Sequence, residues 1–188
     1  MSILRKFAVE CNVDLGELLT DGAQDRLVLA SGGVARDCLA IFRRSIQASR
    51  EQGGGRITSE HVNEASGEYE NSKREDFRRD SADDEEELDS AFQKVVRFCL
   101  NDNNTNCFLI DKNFRGKDAD LIHQLVDLKL LHLARSRVTV RTRPGEIFEA
   151  YMLDFSQYSG SRKRRGLKLI EFWKAEESLR KATLIYQG

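Results

Sequence analysis

The chain has 188 residues, of which 40% are hydrophobic and 32% are charged, and its formal net charge is −1 at pH 7. This composition indicates a globular, water-soluble protein with a buried core and a heavily charged surface. No apolar run reaches the roughly 20 residues of a membrane span, and residues 1–10 lack the pattern of a secretion signal. We therefore expect a cytoplasmic protein that does not enter a membrane.

Charge is distributed unevenly along the chain. Residues 1–89 hold 12 basic and 20 acidic side chains, whereas residues 90–166 hold 14 basic and 8 acidic ones. An acidic half followed by a basic half suggests that the second half meets a polyanion, although such an imbalance is also common on an ordinary solvated surface.

The first part of the chain predicts a bundle of helices. After an amphipathic start, Asp21 and Gln24 have the spacing of a capping box for a second helix. Glycines in Ser31-Gly32-Gly33 end that helix, since glycine readily adopts the left-handed conformation. The clearest amphipathic stripe follows, formed by Val34, Cys38, Ile41, Phe42, Ser45, Ile46 and Ser49.

Two further boundaries divide the chain. Glycines at residues 53–55 break the amphipathic helix, and Thr58 is expected to cap another over residues 59–79. The run DSADDEEELD, residues 80–89, carries too much like charge to pack and is predicted to be a junction.

Beyond the junction the pattern is helix, strand, helix and hairpin, which is the order of a winged helix. Residues 88–100 and 118–129 predict helices, and residues 107–110 predict a short strand. Residues 138–141 and 147–155 predict two strands joined by the turn Arg143-Pro144-Gly145-Glu146. A basic run at residues 162–165 then leads into a predicted terminal helix.

Cysteines and histidines are scattered without the spacing of a metal site. We expect buried free thiols rather than a disulfide or a metal centre for Cys11, Cys38, Cys99 and Cys107. No functional role is needed for His61, His123 and His132. Acidic residues such as Asp118 and Asp120 are explained by the preference of carboxylates for a helix start rather than by acid–base catalysis. We therefore predict no catalytic residue, no metal and no enzymatic activity.

Residues 31–37, SGGVARD, form the most informative motif. It predicts a glycine-terminated helix, a tight turn, and Arg36 in the first turn of the next helix beside Asp37. These local features also fit a plain helix hairpin with a solvent-facing arginine.

The longer run LVLASGGVARDCLAIFRRSIQAS resembles the helical lid of AAA+ and related STAND ATPases, in particular the origin-recognition type. In that family a helix ends in SGG, and an arginine early in the next helix senses the γ-phosphate of ATP on the neighbouring core. The resemblance implies this sensing role for Arg36. Members of the family follow the lid with a winged helix, which IHQLVDLKLLH and FEAYMLDFSQY resemble.

The sequence departs from that family where the ATPase core would be. It lacks the P-loop GxxxxGK[ST], the acidic Walker B strand and the α/β core. Gly116-Lys117 is not a P-loop, because no glycine stands five residues before Gly116. We therefore expect no cofactor on the isolated chain, and ATP with Mg²⁺ only where a core is supplied in cis or in trans.

A second group of candidates is basic. Strand alternation would place four arginines on one face of the predicted hairpin. Lys117 stands at the start of the predicted helix before it. On a winged helix these positions meet phosphates, whereas an ordinary solvated strand face would carry the same charges. The candidate nucleic-acid-binding residues are Lys117, Arg135, Arg137, Arg141 and Arg143.

The predicted fold is mainly α with a small β hairpin. It comprises a helical lid-like bundle at residues 1–79, an acidic junction at 80–89, a winged-helix domain at 90–160, and a basic tail with a terminal helix at 161–188.

The predicted function is that of the non-catalytic C-terminal regulatory part of a P-loop ATPase. Its expected partners are double-stranded DNA and an ATPase core. The alternative is a stand-alone winged-helix transcriptional regulator or protein-interaction module, whose N-terminal helices form a dimerisation surface in a homo-oligomer.

Overall fold

The computed structural model describes residues 2–80, 85–159, 166–174 and 176–188. Over these residues the chain is mainly helical with a small three-stranded antiparallel sheet, which confirms the predicted mainly α class. The chain divides into two compact units, unit 1 at residues 1–76 and unit 2 at residues 77–188. No helix in the described ranges is long and apolar enough to cross a membrane.

Unit 1 contains the first five helices, the last of which extends four residues past the division. Their bounds are α1 Ser2–Glu10, α2 Leu15–Leu18, α3 Asp21–Ala30, α4 Ala35–Glu51 and α5 Ser59–Asp80. The cap of α3 is Thr20, whose hydroxyl accepts a hydrogen bond from the Ala23 N–H at 3.2 Å. The predicted capping box at Asp21 and Gln24 was therefore placed one residue too late, because Asp21 is already the first helical residue.

The turn between α3 and α4 agrees with the prediction from its glycines. Gly32 and Gly33 have φ values of 57° and 80°, the left-handed region in which a side chain is strained. The following helix packs on the predicted stripe, since Cys38, Ile41 and Ser45 are at most 5% exposed. This turn places the first residues of α4 directly after a helix end.

A bridge between two loops closes unit 1. Leu19 and Ile57 pair as a short parallel bridge, with the Thr20 N–H donating to the Ile57 carbonyl at 3.0 Å. The Ile57 N–H donates in turn to the Leu18 carbonyl at 2.8 Å. Leu19 and Ile57 are at most 1% exposed, so the core of unit 1 lies beneath this bridge.

Unit 2 is organised around the sheet. Helix α6 spans Glu85–Val96 and continues as a π-helix over Arg97–Asp102. Then follow β1 Cys107–Asp111, α7 Lys117–Asp127, β2 Leu131–Val138 and β3 Phe148–Leu153. The strand order is β1-β3-β2, and both pairings are antiparallel.

The acidic run at residues 80–89 lies where two helices of the chain end and begin. Residues 81–84 lie outside the described residues. Glu85 begins α6, and Leu88 is 2% exposed, so the end of the run forms the start of a helix of unit 2. Carboxylates in a first helical turn are favoured by the helix dipole, which offsets their mutual repulsion.

The predicted position of the first hairpin strand was wrong. The strand is Leu131–Val138, not residues 138–141, and β3 is Phe148–Leu153 within the predicted 147–155. Residues 139–147 form the connection, in which Gly145 has φ 87°. The Pro-Gly turn thus lies in a longer loop than a tight hairpin would have.

The tail does not form the predicted terminal helix in its described residues. It contains two short 3₁₀ turns, Glu176–Leu179 and Ala182–Leu184. Instead of packing as a helix it bridges to the strand region, through Lys168 paired with Thr105 and Ile185 paired with Leu109. The basic run at 162–165 lies outside the described residues.

Candidate functional site

Arg36 is the second residue of α4 and lies directly after the glycine turn. Its side chain is 76% exposed, and its Nε lies 3.4 Å from Oδ1 of Asp37. The Asp37 carboxylate is the main reason why the pKa of Arg36 is raised. The arginine therefore remains a cation at any physiological pH, held at its Nε and otherwise open to solvent.

Asp37 connects Arg36 to the next helix. Its side chain is fully buried, and the Tyr69 hydroxyl of α5 donates to Oδ1 at 2.9 Å. The guanidinium carbon of Arg44 lies 5.1 Å from the centre of the Tyr69 ring, within cation–π distance. The sequence showed Asp37 only as a helix-start residue, because its partner stands 32 positions later.

The described residues do not fit a complete nucleotide site. Lys117, which follows Gly116 at the start of α7, has its Nζ 2.7 Å from Oε1 of Glu87. Two carboxylates, Asp118 and Asp120, occupy the same helical turn and oppose a phosphate there. Around Arg36 the structure supplies a single exposed cation. Nowhere in the described ranges do three or more metal-ligating side chains cluster.

The other predicted basic residues lie on β2 and the loop after it. Arg135 donates from Nη2 to the Phe172 carbonyl at 3.3 Å. Arg141 lies 3.8 Å from Glu177, and Arg143 lies 3.4 Å from Glu146. Arg137 is exposed and makes no ion pair with another described residue.

These arginines do not share one strand face, contrary to the alternation that we predicted. The strand ends at Val138, so Arg141 and Arg143 belong to the connection. The register within β2 also shifts twice, between Leu133 and Arg135 and again between Arg135 and Val138. These register shifts interrupt the regular alternation of side chains along β2, so sequence spacing alone does not fix the face on which Arg135 and Arg137 lie.

A buried polar pair in unit 2 was missed by the sequence analysis. His132 Nε2 lies 2.9 Å from Oδ2 of Asp154, and both side chains are nearly inaccessible. Oδ1 of Asp154 accepts the Ser156 N–H at 3.2 Å. The pair joins β2 to the residue that follows β3. It satisfies buried groups within the core and lies on no open surface.

A second missed feature is Asn106, which is fully buried before β1. Its Oδ1 accepts the Ile170 N–H at 2.7 Å, and its Nδ2 donates to the Ile170 carbonyl at 3.3 Å. Nδ2 also donates to the Tyr158 hydroxyl at 3.3 Å. One amide therefore holds the tail to the core of unit 2.

The cysteines behave largely as predicted. All four are free thiols, and Cys38, Cys99 and Cys107 are buried, whereas Cys11 is exposed. Burial raises the pKa of the Cys107 thiol, and burial followed by the neighbouring Cys107 raises that of Cys99. Both thiols stay protonated near neutral pH and are poor nucleophiles.

A groove in unit 2 with a volume of about 540 Å³ is lined by residues of α6 and α7. Its walls combine carboxylates and amines with an apolar floor that includes Leu121, Ile122 and Tyr186. Tyr186 also packs edge-on against Phe98 and Phe108, so the tail closes one end of this groove.

No model of a known family, no curated protein and no solved structure matches this chain.

Proposed function

We propose that this chain is the non-catalytic regulatory part of a P-loop ATPase of the origin-recognition type, acting in the cytoplasm. In this proposal unit 2 is a winged helix that contacts double-stranded DNA. Arg36 of unit 1 senses nucleotide bound on an ATPase core that is supplied in cis or in trans.

The observation that carries the DNA-binding proposal is the connectivity of unit 2. Helix α6, β1, α7 and the β2–β3 hairpin follow one another in the order of a winged helix, and the sheet order is β1-β3-β2. Helix α7 precedes the hairpin, as a recognition helix does. The loop at 139–147 takes the place of the wing and carries Arg141 and Arg143.

Weak internal pairing leaves these cations available for phosphate. Arg141 and Glu177 are 86% and 70% exposed, and such solvent-exposed ion pairs contribute little free energy. A phosphate can displace the carboxylate, with release of counterions from the DNA as the favourable term. The arginines between Arg135 and Arg143 can then contact successive phosphates of the DNA backbone.

Support for the nucleotide-sensing role comes from the position of Arg36. It is an exposed cation one turn after a glycine-ended helix, and the buried Asp37 holds its Nε. Asp37 and Tyr69 together orient the guanidinium without covering it. This geometry suits an arginine that reaches an anion on another domain.

The experiment is a fluorescence anisotropy titration of a labelled random duplex with the whole chain at low salt. Arg137→Ala/Arg141→Ala should weaken binding about tenfold or more, because each arginine that contacts a phosphate or base typically contributes 1–3 kcal/mol. The matched control is Arg43→Ala/Arg50→Ala, which removes two exposed arginines of unit 1. Equal affinities for both double variants, or no binding by the wild type, would contradict the proposal.

The alternative of a protein-interaction module is favoured by one observation in unit 1. Val9 and Val13 are 79% and 44% exposed at and just after the end of α1. Apolar side chains exposed side by side suit a contact between copies of the chain. Sedimentation equilibrium of the wild type and of Val9→Ser/Val13→Ser tests this, and a monomeric wild type contradicts it.

A further inference from the structure

Two consecutive aromatic side chains in the tail are not part of the buried core of unit 2. Phe172 and Trp173 lie in a turn between the Ile170 attachment and the first 3₁₀ turn, and both are partly exposed. Their ring centres are 5.0 Å apart at an interplanar angle of 84°, an edge-to-face contact. By contrast, four aromatic residues of the core are less than 2% exposed, namely Phe108, Phe148, Phe155 and Tyr158.

This aromatic pair lies next to β2, the strand that carries Arg135 and Arg137. Arg135 Nη2 donates to the Phe172 carbonyl at 3.3 Å, so the turn lies beside β2. Leu133, two positions earlier on the same strand, is 46% exposed. Lys174 follows Trp173 and is exposed, with its Nζ 3.5 Å from Oε2 of Glu171, and such a solvent-exposed ion pair contributes little free energy. A partly exposed indole therefore stands in the chain between a carbonyl that Arg135 holds and an exposed lysine.

The chemistry of that combination points to a nucleic acid with unpaired bases. Cations hold the phosphates, and an aromatic ring offers a face or edge on which a base can stack. In a duplex both faces of every base are covered by neighbouring bases, whereas a single strand exposes them. Single-strand binding proteins use this pairing of a basic groove with aromatic side chains.

We propose that Trp173, beside Arg135 and Lys174, is a stacking site for an unpaired base of a single-stranded nucleic acid. The choice of ligand rests on the proposed nucleic-acid function of unit 2, and the site shares Arg135 with the proposed duplex surface. Duplex contact uses Arg137 and the loop, whereas single-strand contact requires Trp173.

Trp173 is the only tryptophan in the chain, so its intrinsic fluorescence reports the site directly. The whole chain is titrated with single-stranded oligo(dT), with oligo(U), and with a random duplex. The expected result is saturable quenching by a single strand, with the stronger of the two single-strand arms identifying DNA or RNA. The duplex should bind with little quenching, because its bases cannot stack on the indole.

Variants separate stacking from folding. By anisotropy with the preferred single strand, Trp173→Ala should bind about tenfold more weakly, and Trp173→Phe should retain most of the affinity. Phe114→Ala, which removes a partly exposed aromatic side chain elsewhere in unit 2, should bind as the wild type does. Circular dichroism before titration shows whether each variant is folded, and quenching of the wild-type Trp173 fluorescence by single strands carries the test if Trp173→Ala is not.

Each outcome distinguishes this inference from the proposed function. Duplex binding that depends on arginine, together with an absence of quenching by single strands, overturns the stacking site alone. Quenching by single strands without duplex binding supports the stacking site and overturns the double-stranded DNA proposal. The stacking site is also overturned if the wild type, Trp173→Phe and folded Trp173→Ala all bind the single strand with equal affinity.

Discussion

Asn106 shows how one residue can organise a long loop. Its amide bonds to both backbone groups of Ile170 and to Tyr158, in a site with no access to solvent. Replacing it with alanine would leave the Ile170 N–H and carbonyl buried without these partners. A buried polar group without a partner costs about 1–3 kcal/mol.

We predict that Asn106→Ala lowers the free energy of unfolding by about 2–6 kcal/mol, from two such groups. Urea unfolding followed by circular dichroism measures this. Asn103→Ala is the matched control, since Asn103 makes one side-chain bond, to the Phe98 carbonyl, at a partly exposed position. A loss in Asn106→Ala no larger than in Asn103→Ala would contradict the role of the amide.

The buried thiol of Cys107 should make the stability of the protein depend on pH in the alkaline range. Burial raises its pKa above the ordinary value of 9.0, so the unfolded chain releases this proton at lower pH than the folded chain does. The unfolded state then binds fewer protons, and stability falls as pH rises through 9.

Between pH 8 and 10 one such thiol removes about 1.4 kcal/mol from the free energy of unfolding. Cys107→Ala should therefore lose about that much less stability than the wild type across this range, measured by urea unfolding under reducing conditions. Cys11→Ala, which changes an exposed thiol, should follow the wild type. Parallel pH profiles for the wild type and Cys107→Ala would show the prediction to be wrong.

At the scale of elements, local pattern predicted the helices and β1 well but failed where distant contacts decide. Helices α4 and α7 carry apolar stripes that bury one side, which is a local property of sequence. Strand β2 lacks a regular apolar alternation because it is an edge strand with two register shifts, in which Leu133, Arg135, Ser136 and Arg137 are all exposed. Its extent is set by pairing with β3, which the strand's own sequence does not encode.

The prediction of a terminal helix in the tail was wrong for the same physical reason, namely that distant contacts decide its structure. Its apolar residues Leu167, Ile170 and Trp173 have a spacing of three that favours a helix. Asn106 instead binds the backbone of Ile170, and Tyr186 donates its N–H to the Leu109 carbonyl at 2.8 Å. These partners are tens of residues away, so no local pattern could reveal them. The Asp37–Tyr69 contact in the candidate site was hidden in the same way.

The start of α7 gives a prediction about an element boundary. Gly116 precedes the helix with φ 97° and ψ −171°, a conformation that is essentially confined to glycine. Gly116→Ala should lower the free energy of unfolding by about 1–3 kcal/mol through backbone strain alone, since open space surrounds an added Cβ.

Gly67 is the matched control because it lies inside α5 with ordinary helical φ and open space around it. Gly67→Ala should raise stability by about 0.5–1 kcal/mol, from the higher helix propensity of alanine. Thermal unfolding of both variants provides the measurement. A neutral or stabilising Gly116→Ala would mean that the boundary of α7 does not require glycine.

At the scale of the whole molecule, the two compact units change the meaning of the charge map. Residues 1–76 hold 10 basic and 13 acidic side chains, and residues 77–188 hold 20 basic and 18 acidic ones. The acidic run at 80–89 belongs to unit 2, so that unit is nearly neutral rather than strongly basic. Net charge therefore does not carry the DNA-binding proposal, which rests on the connectivity of unit 2 and on the arginines of β2 and the loop after it.

The most direct test of that proposal is the salt dependence of duplex affinity. The logarithm of the binding constant should fall linearly with the logarithm of salt concentration, with a slope of about −0.9 for each phosphate contact. Arg137→Ala should reduce the magnitude of the slope by about 0.9, whereas Lys117→Ala should change it less, because Asp118 and Asp120 in the same helical turn oppose a phosphate there. A slope that is unchanged in Arg137→Ala, or that is near zero in the wild type, would contradict a DNA-binding surface on this edge of unit 2.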